Sequence, residues 1–320
     1  MWLVMPAIVE SQILDWQEFR PGFVELTAVK QYEGYNVYAV TVTDESVPED
    51  DKRTLICDVP HAHEPAATAA VMNVLSQLIT GRELDGTPSA HNVESIRRRA
   101  ALTFIPDANP GGRARAPVEA WDGWAYTNDE FLRYAFGIDG ATGERFPRPS
   151  RWHTDEYEVT RLGMVWEQID DRTYVEPNRD PGSSLARLKR LLERRRRYDA
   201  WTSAHQTEFE GSDRNCMVLL PIIEDELPAD VQAANTEWGE AVVAAWSAMG
   251  QRPVARPEPL GYTGEQRQCF VERWGDLYRT TPCVTFEVQN NSIATPPDTQ
   301  RKLEEAAIWA SIEWLLRAEG

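Results

Sequence analysis

The ten residues from Leu55 to Glu64 constrain this chain more than any other stretch. Leu55-Ile56-Cys57-Asp58-Val59 is an apolar run of strand length that Pro60 stops. Pro65 suits the first turn of a helix, where N–H groups lack intrahelical partners anyway. His61 and Glu64 therefore stand at a strand-to-helix corner, where an imidazole nitrogen and a carboxylate can be aimed at one point. That pair is two-thirds of a catalytic zinc site, which takes three protein ligands and leaves the fourth position open. Alone it is a weak signal: His-x-x-Glu arises often by chance, and His61 also reads as a hydrogen-bonded core histidine.

The rest of the chain decides whether the missing parts exist. Residues 1–20 show no clear period. Phe23 to Val29 and Tyr35 to Val42 read as strands joined at Gly34. After the corner, Val71, Val74, Leu75 and Leu78 give a helical stripe within Pro65 to Ile79, which Gly81 stops. Val93 to Arg99 reads as a helix, Ala100 to Pro106 as a strand and Asp107 to Gly112 as a tight turn. From Arg113 to Tyr174 few runs are periodic, and loops of that length are commonly functional. Val175 to Asp180 is extended and ends at a polar corner. Ser184 to Tyr198 reads as a helix and Ala200 to His205 as a strand whose last residue is a histidine. Cys216 to Ile223 is a strand, Ala229 to Met249 a long helix, and Pro253 to Asp276 is irregular. Pro282 to Val288 is a strand carrying Glu287, and Asp298 to Arg317 is an amphipathic helix.

Strands alternating with helices imply an α/β fold: one domain over residues 1–320, a mixed, mostly parallel twisted sheet, and helices on both faces. Sites in such sheets gather at the carboxyl ends of the strands. His61, Asn109, Arg179 and His205 all fall just past predicted strand ends.

Composition narrows the class further. With 42% hydrophobic residues and 12 Trp the chain can fill a large core. Cys57, Cys216, Cys269 and Cys283 have no C-x-x-C spacing, so they read as small buried apolar residues rather than a disulfide framework or thiolate site. A formal charge of −18 repels phosphate and argues against nucleic acid as a partner. The run Arg194 to Arg197 spreads around a helix and reads as cations at its C-terminal end. No run reaches the ~18 apolar residues that span a membrane, and Met1 to Pro6 lacks the basic flank of a signal peptide. A cytoplasmic protein is expected.

Taken in order, these pieces resemble the zinc carboxypeptidases, the funnelin-type metallopeptidases. His61-Ala62-His63-Glu64 resembles the family's His-x-x-Glu corner, and Asn109-Pro110-Gly111-Gly112 its Asn-Pro-Asp-Gly turn, with Gly111 in place of the acid. Asn178-Arg179 resembles the pair that receives the substrate's terminal carboxylate, His205 the third ligand, and Thr285-Phe286-Glu287 the strand bearing the catalytic glutamate. The resemblance spans Leu55 to Gly320 and implies hydrolysis of an amide bond beside a free C-terminal carboxylate. It assigns Zn²⁺ to His61, Glu64 and His205, with Glu287 as general base. Arg179 suits a carboxylate because its planar fork binds two oxygens, and Asn178 adds a donor. For the oxyanion the spacing selects Arg161, with Arg113, Arg115, Arg151 and Arg172 as competitors. For the tyrosine that closes over substrate it selects Tyr262, with Tyr278 as rival. Glu208 repeats the His-x-x-Glu spacing after His205 and is expected behind the ligands rather than among them. His63, His91 and His153 are expected to be structural or on the surface. An ungapped alignment of the Glu287 strand sets Glu272 near the base of the pocket for the departing side chain, which would favour a basic terminal residue.

Two other readings stay open. A deacylase of N-acyl amino acids shares the zinc and Asn-Arg elements, although residues 288–320 read as one helix rather than the further β-rich region of those relatives. A non-catalytic zinc-binding relative would need a fourth protein ligand, for which His63 and Cys57 are candidates, and it would have no use for Glu287. The substrate is therefore a peptide or an N-acyl amino acid, and the oligomeric state is not specified by the sequence.

Overall fold

A computed structural model describes residues 2–209 and 211–317. Its centre is an eight-stranded sheet in the order β1-β2-β4-β3-β10-β13-β11-β12. The strands are β1 (Val24–Lys30), β2 (Asn36–Val42), β3 (Arg53–Asp58), β4 (Ala100–Ile105), β10 (Ala200–Thr207), β11 (Cys216–Leu220), β12 (Glu258–Pro259) and β13 (Cys283–Gln289). Pairing is parallel through β4, β3, β10 and β13, where the strands are buried on both faces, and antiparallel at β1–β2, β2–β4 and β11–β13.

Alternation along these strands separates two apolar layers. Cys57, Ala204, Phe286 and Val288 join one core with α1 (Pro6–Phe19), α2 (Pro65–Thr80), α7 (Ala229–Ala248) and α9 (Pro297–Arg317). Ile56, Trp201 and Cys283 join the opposite core with α6 (Ser184–Arg195) and α8 (Gly264–Tyr278). The stripe Val71, Val74, Leu75 and Leu78 is wholly buried, each side chain contributing about 1.5–3 kcal/mol. α2 ends at Gly81, whose φ of 77° is the left-handed cap that glycine adopts at least cost. No described helix is long and apolar enough to cross a membrane.

Between β4 and α6 the chain builds what the sequence shows only as an irregular stretch. α3 (Val93–Arg99) precedes β4, and the single turn α4 (Pro110–Arg113) follows it. Next come α5 (Asn128–Phe136) and two small sheets made of β5 (Gly137–Asp139) with β7 (Val159–Leu162), and of β6 (Arg151–His153), β8 (Glu167–Gln168) and β9 (Thr173–Val175). Phe131, Phe136, Phe146, Trp121, Trp152 and Trp166 form a third cluster, which reaches the sheet through Ala62. These aromatics pack on one another rather than on a regular element, so their spacing carries no period.

Two helices depart from the sequence reading. Residues 6–19 are helical, with Val9, Ile13 and Trp16 buried at the four- and three-residue spacing of one face. Gly264–Tyr278 is a helix within the stretch read as irregular; only Phe270, Trp274 and Gly275 are buried, too few to write a clear stripe. Cys57, Cys216 and Cys283 are buried as expected, and Cys269 is half-buried.

The turn after β4 holds the third cluster against the corner. Asn109 accepts from Gly112 N at 3.1 Å and donates to the Met164 and Val165 carbonyls at 3.1 Å. A Cβ on Gly112 would run into the Met164 carbonyl and Asn109 itself, whereas one on Gly111 would meet chiefly the mobile end of Glu33. Gly112→Ala is therefore expected to cost about 2–4 kcal/mol and Gly111→Ala clearly less. Urea unfolding checks this, as a lower midpoint at unchanged slope.

Candidate active site

Strand register assembles the site. β10 lies parallel to β13 with His205 opposite Glu287, and parallel to β3 with Ser203 opposite Asp58. Three residues past Asp58 stands His61, and Glu64 caps α2. His61, Glu64 and His205 are buried and offer ligand atoms all within 4.8 Å of one another. His61 Nδ1 is 2.8 Å from Glu64 Oε1, and His205 Nδ1 is 3.1 Å from both His61 Nδ1 and Glu64 Oε2. Ligands at zinc distances of ~2.0–2.1 Å lie ~3.3 Å apart around a tetrahedron, so a small opening of this triangle admits an ion. Two imidazole nitrogens and a carboxylate converging with no hydrophobic contact between them is the donor chemistry of Zn²⁺.

Glu176, which the sequence reading passed over, fixes the corner. Its Oε1 lies 2.5 Å from His61 Nε2, leaving Nδ1 to face the cluster, and its Oε2 lies 3.5 Å from Arg179 Nε. This is the partner that orients a metal-binding histidine and raises its basicity. Burial opposes a charge on His61, but Glu64 and Glu176 overcome it and push its pKa up to about 9. Burial likewise opposes ionisation of Glu176, yet His61 and Arg179 hold it down to about 2. The available signal was a carboxylate two residues before Asn178, in a stretch read as extended and ending at a polar corner.

Glu287 is pushed up to about 7 by burial, against the pull of His205, and its Oε2 has no hydrogen-bond partner. A buried carboxylate left free beside a ligand set is costly unless it has a task. His63 sits in the same wall with its pKa driven down to about 3 by burial. It is 3.6 Å from Glu64 and stacked 5.2 Å from His61, so it packs behind the ligands as a neutral ring. His91 stacks on Trp309, and His153 is exposed. Glu208 also lines the cavity, but no hydrogen bond joins it to His205 among the described residues; its side chain accepts from Thr207 Oγ1.

These groups line a cavity of about 620 Å³, ample for a small ligand. Asn178, Arg179 and Tyr262 line it too, with the Arg179 guanidinium 5.8 Å from the Tyr262 ring and Trp274 Nε1 donating to Asn178 O. Tyr278 lines its floor beside Trp201, Trp274 and Cys283.

The arginine chosen for the oxyanion is elsewhere. Arg161 is exposed on β7 with its guanidinium over the Tyr134 ring, and it does not line the cavity. Its competitors fare no better: Arg115 pairs with Glu33, Arg151 with Asp180 and Arg172 with Asp155, while Arg113 is buried outside the cavity. Arg148, carried in by the aromatic cluster, is in place instead. It stacks 4.4 Å from Phe136, its carbonyl accepts from Arg179, and its Nε is buried without a partner. Spacing from Asn178 misled because the intervening strands fold away from the site. Glu272 is likewise exposed on α8 and bonded to Gln268, so no acid from that position reaches the pocket floor.

No family model matches the sequence, and no curated protein does. Solved structures do share the architecture. A metallo-carboxypeptidase from Burkholderia cenocepacia superposes with a TM-score of 0.59 at 13% identity, over 98% of this chain and 70% of that one. Carboxypeptidase A from Helicoverpa armigera gives 0.60 at 13%, over 98% and 73%. Bovine thrombin-activatable fibrinolysis inhibitor, solved with a tick carboxypeptidase inhibitor, gives 0.59 at 13%, over 99% and 98%. The chain thus has the metallo-carboxypeptidase fold.

Replacing Glu176 with Gln should weaken Zn²⁺ binding by about 10- to 100-fold while the fold persists. Competition with a chromophoric chelator measures the first, and circular dichroism the second.

Proposed function

We propose that the protein is a zinc-dependent carboxypeptidase that hydrolyses the amide bond next to a free C-terminal carboxylate. The observation that carries this reading is that one cavity holds a His-Glu-His ligand set, an unpartnered buried glutamate and an arginine fit for a carboxylate. His61, Glu64 and His205 would hold the ion, which when bound supplies a Lewis acid for the attacking water and the scissile carbonyl. Arg179, with Asn178 beside it, fixes the substrate's terminal carboxylate and so sets which amide meets the ligand corner. Glu287 takes a proton from the attacking water and returns it to the leaving nitrogen, completing the cleavage. Arg148 faces the developing negative charge on the carbonyl oxygen. Tyr262, against Arg179, closes the cavity over the bound residue and limits access of bulk water.

Burial raises Glu287 because the charged form loses hydration, and it acts as a base only when deprotonated. Activity should therefore fall as pH drops through its pKa. That value is about 7 without an ion, and a nearby dication lowers it, so the acid limb lies below pH 7 in the loaded protein.

The test combines metal content, chelator sensitivity and hydrolysis of peptides with varied C-terminal residues. Acetyl-amino acids in the same panel distinguish the deacylase reading. Glu287→Gln should retain Zn²⁺ and lose about 10²–10⁴ in kcat, and Arg148→Ala about 10²–10³, whereas Arg161→Ala changes little. Full turnover in the Glu287→Gln variant would remove the mechanism, and a protein that hydrolyses nothing while binding Zn²⁺ would be a non-catalytic relative.

A further inference from the structure

β10 passes the ligand corner in the middle of its course, which divides the cavity into two ends. Trp201 and Ser203 precede His205, and Glu208 follows it by three residues, about 10 Å further on at ~3.3 Å per residue. Arg179 belongs to the first end: Trp274 bonds to the Asn178 carbonyl, Cys269 to its own carbonyl, and Phe270 and Tyr262 lie beside its guanidinium. The terminal residue of a substrate therefore occupies the end with Trp201 and Trp274. Whatever precedes the scissile bond extends toward Glu208.

Glu208 is half-buried and lines the cavity, yet no described cation lies within ion-pair reach. Its only side-chain hydrogen bond, from Thr207 Oγ1 at 3.4 Å, is long. Burial raises its pKa, Glu64 adds to this, and Arg148 offsets it only in small part. Elsewhere comparable carboxylates are paired: Glu176 with Arg179 and His61, and Glu33 with Arg115. A partly desolvated carboxylate kept without a partner in a binding cavity is satisfied by a ligand that brings the charge.

Building on the carboxypeptidase reading, we infer that Glu208 selects substrates carrying a cationic nitrogen on the residue immediately before the scissile bond. That nitrogen is either the free α-ammonium of a dipeptide or the side-chain ammonium of a lysine in a longer, blocked peptide. Both place a positive charge on the far side of the ligand corner from Arg179. Together Glu208 and Arg179 then read the two opposite charges of a short zwitterion, and the amide between them is the one cleaved.

Zn²⁺-loaded protein is assayed on Ala-Phe, acetyl-Lys-Phe, acetyl-Ala-Phe and acetyl-Glu-Phe at low and high salt. At low salt, kcat/KM for at least one cationic peptide should exceed that for acetyl-Ala-Phe by about tenfold or more. The difference should lie mostly in KM, shrink as salt is added, and leave acetyl-Glu-Phe the poorest of the four. Ala-Phe leading marks a dipeptidase-like preference, and acetyl-Lys-Phe leading marks side-chain recognition. In Glu208→Gln the ratio of cationic to neutral substrate should collapse toward one, and Glu208→Asp should restore part of it. Should neither variant fold, the ordering of the acetyl-Lys, acetyl-Ala and acetyl-Glu peptides on the native protein decides. Equal turnover of these peptides, or a preference that survives Glu208→Gln, overturns the inference and leaves the carboxypeptidase reading standing. Hydrolysis of none of them, nor of any other peptide, sinks both.

Discussion

The register of β10 between β3 and β13 is the constraint on which the site depends. Strands lie ~4.8 Å apart and successive side chains alternate faces, so setting His205 level with Glu287 puts both on the face that carries Trp201, Ser203, Cys283 and Thr285. A slip of one residue would send His205 into the apolar layer that holds Ala204 and Phe286. The hydrophobic alternation that stabilises the sheet is therefore also what aims the third ligand. Fold and chemistry share one pattern, and the buried Ala204, Phe286 and Val288 hold the register as firmly as any polar contact could.

That dependence explains what was legible beforehand. His61 and Glu64 could be read because Pro60 and Pro65 mark the strand end and the helix start. His205 and Glu287 could be read because each sits in a short run whose alternation is clear. Arg148 could not: it hangs from a cluster of rings that contact one another through tertiary packing, and nothing local records which of several arginines that cluster delivers. Glu176 lay between these cases, adjacent to a motif but without a pattern of its own. α1 had its period in Val9, Ile13 and Trp16, diluted by exposed Ile8 and Leu14. α8 had almost none, since it covers the cavity with one aromatic edge and leaves the rest to solvent.

The aromatic cluster does for the site what the sheet cannot. A sheet edge supplies ligands and a base in a row, but a cavity needs a second wall. Residues between Trp121 and Trp166 build it without long elements, using ring-on-ring contacts such as Phe146 with Trp152 at 5.0 Å and Trp166 at 5.7 Å. Ala62 and the Asn109 turn lock that wall to the corner. Long irregular sequence here is a packed structure whose contacts are non-local.

Charge gives the site its last requirement. Glu64, Glu176 and Glu287 are buried together with His61 and His205, in a chain of net charge −18. Arg148 and Arg179 answer part of that negative charge, and protonation of His61 and Glu287 answers more. Each of these protonations places a hydrogen where a ligand or a base needs a free lone pair. A dication at the convergence of His61, Glu64 and His205 resolves the conflict. It displaces the proton from His61 Nδ1, lowers Glu287 toward its working form, and offsets the carboxylates with one charge centre instead of several protons. By linkage, an ion that binds only the folded chain also stabilises it. The buried acids that make the corner reactive are thus the same groups that make it want the ion.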